Sequence, residues 1–389
     1  MTDLLLANGF KPEDFESSLA SCPGKLFFLK EEFLQKYFPI AKLPQEKFPE
    51  LLDFANFCQK DPAKKSLLWH LHKIFTEKTL AEILKLSLPD LYTPFGIDSG
   101  KIYLLLAMSL IPFYEARSVR ENFPLSYAHH AADRIGSTTC FFAWKYDGHF
   151  GLLSSGMNFL LHFKNAPMYR IGRFDFVITR HTEDIPEIYR NGSELKALCL
   201  NNWQINAAGY LANGHRPAVR TVRLVKTEQS VTGTPVDFSS GKAELQEITL
   251  DLDKWEKVSA PEDWSINFHI PGGGGMTPEL CEKSFAEAKE FFRNYFPDKP
   301  AGIFWSSSWI FSSDILEYLP ESNLAKLIKR GFLFPARSTG KDGLRFVFGR
   351  EDDDYSSYEQ KTSLQKAMLR CLADKKFLRR SGWFIPVNE

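Results

Sequence analysis

Through most of the first 165 positions apolar residues recur at three- and four-residue steps, the spacing that lines one face of an α-helix. This predicts helices over residues 27–38, 49–60, 66–77, 101–117, 126–145 and 152–164, several with proline at or near a boundary, where its ring is tolerated. No alternating stretch of any length interrupts them, so this half reads as an all-α bundle or layer. The apolar run 102–114 falls short of the roughly 20 residues a spanning helix needs and is interrupted by Pro112. It reads as a core helix.

The pattern changes at Ala166 and Pro167. MYRIGRFDFVIT, residues 168–179, alternates and is rich in aromatic and β-branched side chains, which predicts a strand. Further strands are expected over 203–211, 219–225, 247–252, 265–270, 302–311, 344–349 and 383–387, with helices over 277–295, 314–329 and 363–376. The fold class is therefore α+β: an all-α domain over 1–165, then a strand-rich α/β domain over 166–389. Residues 226–242, rich in Thr, Gly, Ser and Pro, read as an exposed hairpin or loop, and the four carboxylates of 351–354 as an acidic surface turn.

Composition narrows the function classes. A chain of 389 residues with 44% apolar and 14% aromatic content can bury a large core. Its 48 basic and 48 acidic residues cancel, leaving none of the charge excess that nucleic-acid binding requires, and no such partner is expected. Met1-Thr2-Asp3 lacks the basic region of a signal peptide, so the expected location is the cytoplasm, with no membrane partner. The six cysteines form no CxxC pair and have no close histidine, which points to buried thiols rather than zinc or disulfides. His129-His130 and His70-x-His72 are spaced so that helical side chains point apart, and no metal site is expected. GLLSSG at 151–156 misses the spacing of a serine-hydrolase elbow.

One segment stands out, HIPGGGGMTPELCEKSFAEAKEFF over 269–292. Thr277 can cap a helix whose first position is Pro278 and whose positive end faces Glu279. Gly272, Gly273, Gly274 and Gly275 ahead of it would expose main-chain N–H groups beside that helix start, a seat for a phosphate or diphosphate. The run is neither a Walker A loop nor a GxGxxG turn, and a flexible connection is the competing reading.

That segment, followed by FWSSSWIFSSDILEYLPESNLAKLIKRGF and preceded by YRIGRFDF at 169–176, resembles a family of bacterial acyltransferases with a helical N-terminal domain and a GNAT-like C-terminal domain. The blocks occur in the family's order, and the likeness covers nearly the whole chain. It implies an acyl-coenzyme A cosubstrate lying across a splayed pair of parallel strands. Phe268 and Ile270 would then flank the pantetheine arm, with Gly272, Gly273, Gly274, Gly275, Met276 and Thr277 around the diphosphate and Ser306 and Ser308 on the opposing strand. One departure is that Ile270-Pro271 precedes four consecutive glycines, whereas the superfamily loop begins with Gln or Arg and spaces its glycines differently.

Acyl transfer from a thioester to an amine needs a base, an oxyanion donor and an acid for the thiolate. His269, at a strand end before the glycines, is the base candidate, and a strand-end histidine bonded to backbone is the alternative. Ser307 sits among three serines in an apolar strand, where hydroxyls bind either a ligand or neighbouring buried groups. Tyr318 lies where related proteins present a tyrosine to the coenzyme sulfur, and reads equally as core. Asn323 reads as a helix cap, and Arg170 and Arg173 as a solvated strand face or a carboxylate clamp. The expected activity is N-acylation of a small-molecule amine in a ternary complex. A degenerate domain that binds a ligand or partner without turnover is the second reading, and a hydrolase a third. Acceptor, acyl chain and oligomeric state are not encoded locally, because they depend on residues distant in sequence.

Overall fold

The computed structural model describes residues 6, 10–86, 88–89, 91–165, 168–180, 185–213, 216–272 and 275–388. The chain forms two compact units, Met1–Ile171 with Pro271–Gly273, and Gly172–Ile270 with Gly274–Glu389. The Ala166-Pro167 boundary expected from the change of pattern lies outside the described residues.

Helices fill the described part of the first unit: α1 (Pro12–Ala20), α2 (Glu31–Ile40), α3 (Phe48–Lys60), α4 (Pro62–Glu77), α5 (Leu80–Leu84), α6 (Tyr92–Phe95), α7 (Asp98–Met108), α8 (Ile111–Arg120), α9 (Leu125–Lys145) and α10 (Ser154–Asn165). The single helix predicted over 101–117 is two, because Pro112 takes the second position of a new helix where its missing N–H is no loss. The stretch Asp98–Arg120 is long and apolar enough to cross a membrane, yet 72% of its most apolar window is buried inside the protein. It is the core of the unit: every residue from Ile102 to Met108 is inaccessible or nearly so. On α4, Leu67, Leu68, Leu71, Ile74 and Phe75 are buried together with His70 and His72. The two histidines do not converge, since His70 Nδ1 bonds Ser18 Oγ at 3.0 Å and His72 Nδ1 bonds Ser109 Oγ at 2.9 Å.

The strand predicted over 168–179 is β1 (Met168–Ile171) and β2 (Phe174–Arg180), parted at Gly172, whose φ of 55° is open to glycine at little strain. The second unit is built on a sheet of β2, β3 (Trp264–His269), β4 (Ile303–Ser308), β6 (Ser381–Pro386) and β5 (Phe332–Pro335), in that spatial order. All neighbours in it are antiparallel except β3 and β4. Helix α11 (Pro278–Tyr295) covers one face, burying Cys281, Ser284, Phe285, Ala288, Phe291 and Phe292 at helical spacing. Phe285 is the centre of this layer, 5.1 Å from Phe174, 5.2 Å from Phe268, 5.3 Å from Phe304 and stacked on Trp383 at 5.8 Å. Between β2 and β3 the chain leaves the sheet and builds short antiparallel strands, among them Glu187–Asn191 with Glu194–Leu198 and Ser230–Gly233 with Ile248–Asp251. Their apolar residues Ile188, Leu195 and Trp203 join Ile303, Phe334 and Phe384 in a second core.

Several elements differ from the sequence expectation. Residues 344–349 form not a strand but α14 (Leu344–Phe348), bounded by Gly343 and Gly349 in the left-handed region. The helix expected over 314–329 breaks at Leu319-Pro320 into α12 (Ser313–Tyr318) and α13 (Asn323–Arg330). The cap of α13 is Ser322, whose Oγ accepts from Ala325 N at 3.1 Å, and not Asn323. Only Gln204–Ile205 of the strand expected over 203–211 forms, because the Asn206 side chain accepts from the N–H groups of Ala208 and Tyr210 and turns the chain. The segment 219–225 splits into Arg220–Thr221 and Leu224–Lys226, and 226–242 contains the strands Ser230–Gly233 and Val236–Asp237. The last helix, α15, spans Ser363–Ala373.

Glycine at 382 is a packing requirement. A Cβ there would meet the Phe334 ring at 2.0 to 2.4 Å, and Phe334 is fully buried. Gly382→Ala is expected to destabilise the second unit by about 3 kcal/mol in urea unfolding, because the strand must shift or the ring must leave its rotamer.

Candidate functional site

Strand β3 leads directly into the glycine segment and α11. The helix start is built as its sequence predicts: Thr277 Oγ1 accepts from Leu280 N at 3.4 Å, Pro278 opens the first turn and Glu279 lies in it. Gly273 and Gly274 lie outside the described residues. Gly272 and Gly275 are exposed, neither has a positive φ, and among the described residues a Cβ would meet nothing within 4 Å at Gly272 and only Thr277 Cγ2 at 4.0 Å at Gly275. Neither packing nor backbone strain therefore demands glycine at these two positions, in contrast to Gly382. A bare main chain there leaves room for something outside the protein.

Positive groups lie near the helix start. Arg173 Nε donates to Gly275 O at 2.8 Å, which fixes the carbonyl direction of the segment. A cavity of about 90 Å³ between the start of α11 and one side of α13 is lined by Cys281, Glu282, Asn323, Lys326 and Arg330. Arg330 pairs with Glu282 at 2.7 Å, while Lys326 is exposed. Burial pushes the Cys281 thiol up to about 11, so it stays protonated at neutral pH.

The parallel ladder between β3 and β4 is short, pairing Ile266 with Phe304 and Asn267 with Trp305 and nothing beyond. Asn267 Nδ2 donates to Trp305 O at 3.2 Å at the last rung. Past that rung β4 pairs with β6 and β3 with β2, so the strands continue without a ladder between them. Counting on by two residues, His269 and Ser307 hold equivalent positions on either side of the gap. Side chains alternate, so both point to the face away from α11, as Asn267 and Trp305 do. His269 is exposed at the strand end and Ser307 half-buried. Phe268 and Ser306 point the other way, Phe268 fully buried under α11 and Ser306 buried beside Trp383.

Directly opposite His269 on β2 is Asp175, which has no solvent exposure. Opposed residues of an antiparallel pair share a face with their Cβ atoms roughly 5 Å apart. Sequence reading passed over Asp175 because FDF reads as an alternating strand with one polar position, and only the register with β3 gives that position a meaning.

The remaining predicted residues are placed elsewhere. Ser308 Oγ accepts from Ile310 N at 3.4 Å and caps the turn Trp309–Phe311, a structural task. Tyr318 packs against the cluster of Leu344, Met368 and Cys371 and donates to Asp374 Oδ2 at 2.6 Å. That bond to a carboxylate pushes the phenol up to about 12, which makes it a reluctant proton donor. Ile270, Met276 and Thr277 are half-buried along the connection between β3 and α11. The acidic turn carries its own cations, Arg350 gripping Asp352 through two bonds of 2.6 and 2.7 Å and Lys341 pairing with Asp353 at 2.7 Å.

A parallel pair whose ladder ends before a helix with a glycine-rich approach is the arrangement that the resemblance to a GNAT-like domain implied. The model of the GNAT-like C-terminal domain matches residues 168–384, more than half of the sequence, and the chain belongs to that family. Solved structures share the fold over both units. One, an acyltransferase in complex with decanoyl-CoA and teicoplanin, is 16% identical with a TM-score of 0.64, covering 99% of each chain. A second, a variant acyltransferase in complex with octanoyl-CoA, is 16% identical with a TM-score of 0.63, covering 99% of this chain and 98% of its own. No curated protein matches the sequence.

Proposed function

We propose that the protein transfers an acyl group from an acyl-coenzyme A to an amine of a small-molecule acceptor. The observation that carries this reading is the parting of β3 and β4 after Asn267 and Trp305, with His269 and Ser307 at equivalent positions across the gap. Family membership supports it, as do the acyl-CoA ligands of the solved acyltransferases that share the fold.

The chain's own residues suit the cosubstrate. The open space around Gly275 and the capped start of α11 offer main-chain donors to a diphosphate, and Lys326, which interacts with Glu279 of the first turn, lies nearby. The gap between the strands offers hydrogen-bonding main chain to the pantetheine amides. His269 accepts a proton from the attacking amine as its nitrogen bonds to the thioester carbon, and Asp175 is the positioning residue behind it. The C–S bond then breaks, the carbonyl re-forms, and the proton held by His269 is returned, directly or through solvent, to the thiolate, which leaves as free coenzyme A. In this reading Ser307 donates to the developing oxyanion from the opposing strand. No step is assigned to Tyr318.

Gly275→Asp tests the anion seat with little disturbance of packing, since among the described residues a Cβ there meets only Thr277 Cγ2 at 4.0 Å. Calorimetric affinity for coenzyme A is expected to fall at least about tenfold with the melting temperature unchanged, because like charges repel at close range. Equal affinity in the variant, or no heat with either protein, rejects the seat. Thiol release with a panel of amines then separates transfer from binding alone.

A further inference from the structure

A cleft of about 330 Å³ opens at the far end of α11 from the glycine segment. Lys289, Arg293 and Phe296 lie three to five turns beyond the helix start, about 16 Å or more along its axis at 1.5 Å per residue. The floor is apolar, formed by Ile266, Phe292, Phe296 and Val387. Among the described residues the polar lining is Lys289, Arg293, Lys299 and Asn388, with no carboxylate. Arg293 is paired with Glu290 on its own helix. Neither Lys289 nor Lys299 has a carboxylate partner among the described residues. Lys299 is nevertheless held in place, its ammonium 5.3 Å from the Trp264 ring centre and 4.9 Å from that of Phe296.

Volume, apolar floor and two ammonium groups with no carboxylate partner among the described residues select a ligand by chemistry. Small-molecule sites begin at about 300 Å³ and combine an apolar lining with few charged groups that fix orientation. A neutral apolar molecule would leave both ammoniums unanswered, and an inorganic anion would leave the floor uncovered. We propose that this cleft binds a small amphipathic carboxylate, its alkyl part on the floor and its charge met by Lys289 and Lys299. This second site is separate from the acyl-transfer site and does not depend on that reading.

The test is calorimetric titration of the full-length protein with sodium octanoate, in parallel with 1-octanol and with inorganic phosphate, each repeated at saturating coenzyme A. Octanoate is expected to bind with a roughly sub-millimolar Kd, the range open to a ligand of its size. Lys289→Met keeps an apolar stem and good helix propensity, and is expected to weaken octanoate about tenfold, as is Lys299→Met. Octanol and phosphate are expected to bind at least about tenfold more weakly than octanoate. Absence of octanoate binding, equal affinity in Lys289→Met, octanol or phosphate binding as tightly, or displacement of octanoate by coenzyme A each overturns the proposal. Should Lys299→Met lose its fold along with its ring contacts, the Lys289→Met result decides alone.

Discussion

His269→Ala is expected to lower kcat for acyl transfer by about 10² to 10⁴, the range supplied by a positioned general base, while coenzyme A affinity stays within about twofold. The asymmetry follows from where the residue sits. It ends β3 on the face away from α11, exposed and opposite Asp175, whereas the proposed diphosphate seat lies beyond it in the chain. Removing the imidazole takes away the proton acceptor and no main-chain donor. Asp175→Asn is expected to lower kcat by about tenfold with KM for the thioester unaltered, because an amide can hold the ring but no longer supports the cation that forms on it. A purely structural Asp175 would instead change the melting temperature and leave the kcat of the folded fraction intact. Single-turnover measurements at saturating thioester read the chemical step directly. Unchanged turnover in His269→Ala would remove the residue from the mechanism.

The second large effect concerns the helical unit in acid. Burial lowers His70 and His72 to about 4, so both stay neutral in the folded state at pH values where an unfolded chain would protonate them. The stability they contribute is fully present above their ordinary value of 6.5 and is lost as pH falls from there toward 4. At pH 4.5 the loss is about 2.5 kcal/mol for each histidine, by linkage. Two such losses are comparable to the whole stability of many domains. His162, lowered by burial, acts in the same direction. Asp133, whose carboxyl burial raises, acts in the opposite one. The paired carboxylates Glu115 and Glu121 are held low and lose their contribution only below the ordinary carboxylate range, so the interval from pH 6.5 to 4.5 belongs to the histidines. Urea unfolding followed at α-helical wavelengths across that interval is expected to show a steep decline in the wild type. In His72→Leu the decline should be about half as steep. A flat wild-type profile would mean that His70 and His72 protonate without unfolding the helices around them.

The elements that sequence alone made legible are those set by neighbours in the chain. Helix α11 begins at Pro278 and ends at Tyr295, within a residue of the expected span, because Thr277, Pro278 and the Phe285, Ala288 and Phe292 face are local signals. Strands β3 and β6 are likewise displaced by no more than two residues from their expected starts. Errors cluster where one residue overrides the average of its window. Gly172 folds an alternating strand in two, Gly343 and Gly349 admit a helical turn in an aromatic run, and the Asn206 side chain ends a strand after two residues. The site divides in the same manner. His269 and the glycines were visible in one segment. Asp175 became visible only once β2 was known to pair with β3, and the placement of Ser307 required the parallel register between β3 and β4. Those pairings join residues far apart in sequence, and no local pattern encodes them.

Strands β2 and β3 are immediate neighbours in the sheet, yet Arg180 pairs with Trp264 across an excursion of roughly 80 residues. Joining them directly from an open chain means closing a large loop, and topologies of that kind assemble slowly. The short strands of the excursion ease this, because once Glu187–Asn191 has paired with Glu256–Ser259 the two ends are already close together. The excursion is thereby expected to act as a matchmaker during assembly. Trimming it to simplify the protein would remove the device that delivers Asp175 and His269 to each other.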